Sequence, residues 1–148
     1  RLIQLLDEGK ELPFDIQDQT IFYVGPTPSK PGQVFGSGGP TTSGRMDAYS
    51  PRLIGLGLHA MIGKGYRNEA VKKAIVDHCG VYFGAIGGAG AMMSSCIEEC
   101  EIIAFDDLGP EAIRKLKVKN MPLVVVIDHL GNDLYEIGRK NYLKNDCQ

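Results

Sequence analysis

Short apolar runs typical of β-strands alternate with segments of helical periodicity along this chain, and this alternation restricts the possible folds more than any other feature. Strands are predicted at residues 20–24, 81–86, 101–105, 123–127 and 133–137. Helices are predicted at residues 1–8, 50–62, 69–79, 89–98 and from residue 110 onward. Strands and helices that alternate in this way favour an α/β fold with partly parallel strand pairing.

Local signals set the expected boundaries of these elements. Ser50 followed by a proline is expected to open the second helix, and Asn68 to cap the third. Pro110 is expected to start the last helix, with Ile113 and Leu116 on its inner face. The apolar run at residues 123–127 is continuous, which is typical of a central strand.

A glycine-rich loop at residues 25–44 is the best candidate for a functional site, because long loops without regular structure are often functional. Glycines such as Gly39 expose backbone N–H groups, and Thr41 and Thr42 add hydroxyls. Arg45 supplies a planar fork suited to a carboxylate, and Lys64 stands between two glycines. This combination predicts an anion-binding site.

Other interpretations of the loop stay open at this point. It can be a plain surface loop in which Arg45 pairs with Asp47. Neither the order of a P-loop nor the glycine spacing of a dinucleotide-binding turn is present. A second group of small residues, 87–91, is expected to allow close backbone packing or approach of a partner chain, and less favourably to bind an anion.

Length and charge limit the functional classes. The 148 residues fit one domain, residues 1–148. The net charge is -2 and no basic block occurs, so neither nucleic acid nor a membrane is an expected partner. No signal peptide is visible, and a cytoplasmic protein is expected. The first helical pattern lacks a cap, so we expect the natural polypeptide to begin before Arg1.

The cysteines and histidines do not form a recognisable metal-binding pattern. Of the four cysteines only Cys96 and Cys100 are close in sequence, and on a helix they would share a face. We expect free thiols in a reducing compartment, with an incomplete metal site as the less favoured alternative. His59, His78 and His129 are interpreted as structural or solvated side chains rather than acid–base groups.

Residues 39–47 resemble the GPTT-x-x-RMD signature of class I iron–sulfur fumarate hydratases and of the β region of L(+)-tartrate dehydratases. Residues 61–65, 84–89, 106–113 and 131–135 also agree with this family in order and spacing. The resemblance covers nearly the whole chain. The chain is similar to the C-terminal domain, or β subunit, of these hydro-lyases.

The resemblance implies a swivelling β/β/α domain of layered sheet and helices. It implies reversible addition of water to a C4 dicarboxylate, with fumarate hydration to malate favoured. It also implies a [4Fe–4S] cluster that is bound by a partner α subunit and not by this chain. No metal ligand is therefore assigned here. The expected assembly is an (αβ)2 oligomer that is active only when both subunits are present.

Site residues carry over by position. Thr41 matches the threonine proposed as catalytic base in the family, Arg45 an arginine that binds a substrate carboxylate, and Lys64 a substrate-binding lysine. Thr42 and Gly39 complete the substrate-binding set. A further substrate-contacting arginine of the family lies in a G-R-D-x-A-H segment that is not among these residues.

Three alternative functions remain at this stage. An L(+)-tartrate dehydratase β subunit has the same signature residues. A stand-alone module would bind small dicarboxylates through Arg45 and Lys64 without catalysis. A structural subunit would use the loop only to dock on a partner.

Overall fold

The computed structural model of the protein describes residues 1–140 and 142–143. Its central feature is a four-stranded sheet with the order β1-β2-β3-β6, beside a separate two-stranded ribbon of β4 and β5. The strands are β1 (Thr20–Phe22), β2 (Ala60–Gly63), β3 (Val81–Gly84), β4 (Ile97–Ala104), β5 (Ile113–Val118) and β6 (Val124–Ile127). The helices are α1 (Leu2–Asp7), α2 (Ser50–Gly55), α3 (Glu69–Asp77), α4 (Gly90–Ser95) and α5 (Leu134–Lys140). The α/β class is confirmed.

Both faces of the sheet are covered. Strands β1, β2 and β3 are parallel, whereas β6 pairs with β3 in the antiparallel direction. Met61 and Tyr82 face a core built with residues of α2 and α3. Their neighbours Ile62 and Phe83 point to the opposite face, where they pack with Met93 of α4. This alternation follows from the strand period of two and gives the layered arrangement that was expected.

The third helix forms where its cap predicted it. The side chain of Asn68 accepts a hydrogen bond from Val71 N at 2.9 Å, which satisfies a backbone donor of the first turn. Val71, Ala74 and Ile75 are buried along one stripe. A cap and an amphipathic stripe agree here, so the local signal and the tertiary packing favour the same structure.

The predicted helix at residues 50–62 is wrong in its second half. Helix α2 ends at Gly55, and Gly57 adopts a φ of +102°, where the side chain of Gln17 occupies the space a Cβ would need. The chain then reverses into β2, whose four residues are all buried between β1 and β3. An apolar run this short fits a helix face and a fully buried strand equally well, so periodicity does not separate them.

Three further predictions differ from the structure. The segment after Pro110 is strand β5, because Gly109 adopts non-helical angles and confines the preceding turn to a short 3-10 helix. The predicted last strand is helix α5, where Asp133 Oδ1 accepts from Tyr135 N at 3.0 Å. Strand β6 lies at an edge of the sheet rather than in its centre. Among the described residues, no helix has the length and hydrophobicity needed to cross a membrane.

Candidate functional site

The candidate site lies at the carboxyl ends of the three parallel strands. Tyr23 follows β1, Lys64 follows β2, and residues 85–87 follow β3. Because parallel strands end at the same edge of a sheet, these three segments lie side by side. Open α/β sheets bind ligands at this edge. The structure therefore places the glycine-rich loop and Lys64, which are far apart in sequence, in one region.

The threonine segment continues the sheet beyond the end of β1. Thr41 N donates to Tyr23 O at 2.8 Å, and Lys64 N donates to Thr41 O at 3.2 Å. Ser43 N donates to Lys64 O at 3.0 Å, so Thr42 and Lys64 form a parallel bridge. Backbone hydrogen bonds thus bring Thr41, Thr42 and Lys64 together, as the anion-site hypothesis requires.

The hydroxyl of Thr41 has a defined hydrogen bond. It is partly buried, and Oγ1 donates to Tyr23 O at 3.1 Å. Because the proton is directed to a backbone carbonyl, the oxygen lone pairs remain available as acceptors. A donor bond of this kind stabilises the neutral hydroxyl, so action as a base requires opposing positive charge nearby.

Arg45 and Lys64 are the two cations of the site, and both side chains are exposed. Within the described part of the chain, neither side chain forms an ion pair or a hydrogen bond. The Lys64 ammonium reaches across to the loop after β3, where Nζ lies 3.9 Å from the position a Cβ on Gly87 would take. Surface pairing of Arg45 with Asp47 is wrong, because Asp47 pairs with Arg67.

Gly39 lies where the glycine-rich loop packs on the start of α4. A Cβ on Gly90 would stand 3.1 Å from Gly39 N and 2.7 Å from Ser37 Oγ, so this contact needs glycine. Ser94 Oγ accepts from Gly38 N at 2.9 Å. The small residues after β3 therefore allow close backbone packing, which was one of the two expected roles.

A buried polar network that the sequence analysis missed lies under the site. The Arg67 guanidinium binds Asp47 Oδ1 at 2.6 Å and Ser50 Oγ at 2.8 Å. Tyr82 OH lies 3.0 Å from Ser43 Oγ and 3.1 Å from Gly65 O, so one hydroxyl contacts both segments of the site. These partners are 17 to 39 residues apart in sequence, so no local spacing reveals them. The only signal was a charged residue, Arg67, close to an expected helix cap.

Gly63 allows the two site segments to approach each other. A Cβ at this position would stand 1.8 Å from Ser43 Oγ, which no side chain tolerates.

Tyr82 is fully buried, and burial raises the pKa of its hydroxyl, although the bond to Ser43 and the Arg67 charge act in the other direction. The neutral hydroxyl is therefore held as a donor at physiological pH.

The histidines and described cysteines lie outside this site. His59 and His78 line a cavity of about 480 Å³ at the amino end of β2, which is the opposite edge of the sheet. Cys96 ends α4 and Cys100 lies within β4, so the expectation of a shared helix face is wrong. Among the described residues, no three metal-ligating side chains gather in one place. Cys147 lies outside the described residues.

Comparison with known proteins gives the family. Residues 1–138 match the family model described as "Fumarase C-terminus". The chain is 41% identical to the anaerobic class I fumarate hydratase of Escherichia coli over 92% of its own length. It is 36% identical to fumarate hydratase 2 of Leishmania major over 91% of its length. It is also 36% identical to a putative L(+)-tartrate dehydratase subunit beta of Methanocaldococcus jannaschii over 97% of its length.

The shares covered in these relatives differ. The chain spans 25% of the E. coli enzyme and 24% of the Leishmania enzyme, but 77% of the Methanocaldococcus subunit. The residues matched by the family model, 1–138, include Thr41, Thr42, Arg45 and Lys64. Since the family model covers almost all of the described residues, this chain belongs to the fumarase C-terminus family.

Proposed function

We propose that this chain supplies the substrate-binding and acid–base groups of a hydro-lyase that adds water reversibly to a C4 dicarboxylate, with fumarate as the favoured substrate. The observation that carries the proposal is the arrangement at the sheet edge. Backbone hydrogen bonds hold Thr41 and Lys64 together, and the exposed Arg45 completes a cationic, hydroxyl-lined surface.

The charges of the site suit a dicarboxylate. Such a substrate carries two negative charges, and burying them requires cationic or hydrogen-bonding partners. Arg45 supplies a fork that binds one carboxylate with two parallel hydrogen bonds. Lys64 supplies a compact second charge on a flexible stem, held by the backbone pairing of its own segment. Neither cation is neutralised by an acidic side chain of the described residues.

In this proposal Thr41 moves the proton. In the dehydration direction Oγ1 first loses its own proton to solvent; as the alkoxide it then takes a proton from the substrate carbon while hydroxide leaves the neighbouring carbon, and hydration runs the same transfers in reverse. The hydroxyl oxygen is fixed by its bond to Tyr23 O, so its position relative to Lys64 is set before substrate binds. The positive charges of Arg45 and Lys64 would lower the pKa of the Thr41 hydroxyl. They would thus oppose the hydrogen bond to Tyr23 O, which stabilises the neutral form.

The proposal includes a partner that holds a [4Fe–4S] cluster. The described cysteines lie on separate elements and do not fit a cluster, which needs several thiolates in a compact group. Exposed apolar side chains also flank the site residues: Met46 follows Arg45, and Tyr66 and Ile86 are 60% and 58% exposed. An open cationic site with an apolar rim favours coverage by a second protein surface.

An L(+)-tartrate dehydratase β subunit is the second candidate. The observation that favours it is coverage, since the chain spans 77% of the Methanocaldococcus subunit but a quarter of the E. coli enzyme. Tartrate differs from malate by one hydroxyl, so the same cations would bind both substrates. The two candidates share the site and differ only in the group that surrounds the extra hydroxyl.

Co-expression with a cluster-bearing α-type partner tests the proposal. The purified complex is assayed anaerobically on fumarate, malate and tartrate, and the unaided chain serves as control. We expect hydration of fumarate by the complex and none by the single chain. Tartrate turnover without fumarate turnover would select the second candidate. A complex that contains its cluster and acts on none of the three substrates would contradict both.

Thr41→Val tests the acid–base assignment, with Thr42→Val as the matched control in the same loop. Valine keeps the shape of threonine and removes the hydroxyl. Loss of an acid–base group costs about two to four powers of ten in rate. Loss of a binding hydrogen bond costs roughly 0.5–1.5 kcal/mol, which is about tenfold. Turnover above about a tenth of wild type in Thr41→Val, with normal cluster content, would assign Thr41 to positioning only.

A further inference from the structure

We propose that Arg67 is a positioning residue for Arg45, so that a fully buried guanidinium sets the geometry of the exposed one that binds substrate. This inference rests on the proposed function of the site. Arg67 itself does not touch the substrate surface, because its side chain is 0% exposed. Its influence passes through the segment that directly follows Arg45.

All three nitrogens of the Arg67 guanidinium are used. Nε donates to Asp47 Oδ1 at 2.6 Å, one terminal nitrogen donates to Ser50 Oγ at 2.8 Å, and the other lies 3.3 Å from Met61 Sδ. The rings of Tyr23 and Tyr82 lie beside the guanidinium carbon, with centroids 5.6 Å and 5.0 Å away. These contacts leave the guanidinium a single orientation.

The two oxygen partners of Arg67, Asp47 and Ser50, hold the backbone next to Arg45. Asp47 also accepts from Asn68 N through Oδ2 at 2.6 Å, so its carboxylate links the loop to the start of α3. Ser50 Oγ donates to Met46 O at 2.9 Å. The two residues after Arg45 are thereby fixed to one buried group. The 3-10 helix Ser43–Met46 that carries Arg45 cannot rotate without breaking these bonds.

Thr41 is anchored independently of Arg67. Its amide and hydroxyl both bind Tyr23 O, and its carbonyl accepts from Lys64 N. Loss of the Arg67 geometry should therefore disturb carboxylate binding by Arg45 and leave the proton-transferring hydroxyl in place. A buried ion pair is by itself weak evidence for stability, since well-packed apolar replacements are often neutral or stabilising. The directional hydrogen bonds that Arg67 makes around Arg45 indicate that its role is to set the geometry of that segment rather than to stabilise the fold.

Arg67→Lys in the complete, partner-bound enzyme tests the inference, because lysine keeps the charge and loses the fork. We expect KM for the dicarboxylate to rise about 10- to 100-fold, the scale of a misplacement of about 1 Å, with kcat within about threefold of wild type. Arg52→Lys is the matched control. Arg52 makes an exposed pair with Asp7 in the neighbouring helix, and its replacement should change neither constant.

Hydrogen exchange separates this inference from the proposed function. In Arg67→Lys the amides of Ser43 and Asp47, which bond Lys64 O and Gly44 O, should exchange faster while those of β2 and β3 stay unchanged. Unchanged KM and unchanged exchange would overturn the inference, and so would a uniform loss of protection or a fall in kcat alone. If the wild-type complex has no hydratase activity, the proposed function fails and the exchange pattern alone decides.

Discussion

The four-stranded sheet and the β4–β5 ribbon differ in how they are held. All four residues of the central strand β2 are buried, and β3 contributes Tyr82, which is 0% exposed, between half-buried neighbours. The ribbon has one fully buried side chain among its described strand residues, Ile97, and it forms a sheet of only two strands. A two-stranded ribbon is at best marginally stable by itself.

Their polar interactions differ in the same way. Under the site, Arg67, Asp47 and Tyr82 make hydrogen bonds away from water. In the ribbon, Glu99 and Lys117 stand opposite each other in register and form an exposed pair at 2.7 Å. Exposed pairs are screened and contribute little, whereas buried groups cost much when their partners are lost. Buried, directional hydrogen bonds are therefore concentrated at the edge of the sheet that carries the candidate site.

Lys72→Met should have the largest effect on stability. The ammonium lies 2.9 Å from the carboxylate of Asp133, which is 3% exposed, and it also pairs with Glu136 and Glu69. Asp133 Oδ2 receives no well-angled hydrogen bond within the described residues, so the ammonium is what offsets its burial. Removing it should lower the free energy of unfolding by about 3–5 kcal/mol. Urea titration measures this, with Lys73→Met on the exposed Asp77 pair as control.

The same lysine gives a pH dependence. Burial lowers the pKa of Lys72, but its ionic contacts with the carboxylates of Glu136, Asp133 and Glu69 outweigh this effect and raise that pKa above its usual value. Because the pKa is raised on folding, the contribution of these ion pairs to the free energy of unfolding is complete below about pH 10.4, the ordinary pKa of lysine. It is lost as the pH rises through the pKa of the folded state. Wild-type stability minus that of Lys72→Met should therefore stay constant from neutral pH to about pH 10 and shrink above it.

Arg45→Lys should reduce kcat/KM by on the order of 2–4 kcal/mol in the partner-bound enzyme, because lysine loses the bidentate contact to a carboxylate. Arg114→Lys makes the same chemical change in the ribbon, where the guanidinium binds backbone carbonyls at residues 109, 110 and 112. That control should leave kcat/KM unchanged. Equal losses in the two variants would show that activity depends on the ribbon as much as on the sheet edge.

Gly63→Ala should lower the free energy of unfolding by about 1–3 kcal/mol, the usual cost of overpacking, because its Cβ would meet Ser43 Oγ at 1.8 Å. The shift of Ser43 would also remove a partner of the Tyr82 hydroxyl. Gly138→Ala in α5 is the control, since no atom lies within 4 Å of the added carbon. A Gly63→Ala protein with wild-type Tm would show that Ser43 can move away from β2 at little cost, which would contradict a tight contact between the two site segments.

Lys117→Ala should have the smallest effect, with no measurable change in Tm, because both partners of the Glu99 pair are exposed. The hydrogen bond from Lys117 lowers the pKa of Glu99. Because this pKa is lowered on folding, the Glu99 carboxylate stabilises the folded state at pH values above the ordinary glutamate pKa of about 4.3. That stabilisation is lost as the pH falls through the pKa of the folded state. Protection factors of the ribbon amides, corrected for the intrinsic exchange rate at each pH, should therefore fall slightly more on acidification in wild type than in Lys117→Ala. A large drop in Tm would make the ribbon part of the global folding unit.

Where local and tertiary signals agreed, sequence reasoning predicted the structure. The cap at Asn68 with its buried stripe gave α3, and the runs after residues 20 and 81 gave β1 and β3. It failed where a short segment was ambiguous. Residues 116–118 alternate apolar and basic side chains as a strand does, but Ile113 and Leu116 are three residues apart, which also matches helical spacing. Asp133, which caps the start of α5, was interpreted as the first residue of a strand at 133–137.

The candidate site divides along the same line. Gly39, Thr41, Thr42 and Arg45 lie within seven residues of one another in sequence, so their motif predicted one region. Lys64 joins them through the sheet pairing. The groups beneath them were not predictable. Tyr82 of β3 and Arg67, which lies between β2 and α3, bind residues 43–50 because the fold brings these segments together, which no local spacing in the sequence indicates.

The break in the first strand has a consequence for how this domain can vary. Backbone hydrogen bonding to β2 stops at Tyr23 and resumes at Thr41. The segment at Thr41 takes the place beside β2 that a longer β1 would occupy. In topological terms residues 25–39 are an insertion within one strand, and the sheet sets the position of Thr41 whatever the length of the excursion. Residues 25–39 can therefore change in length and composition during evolution while the hydroxyl of Thr41 keeps its position on the sheet.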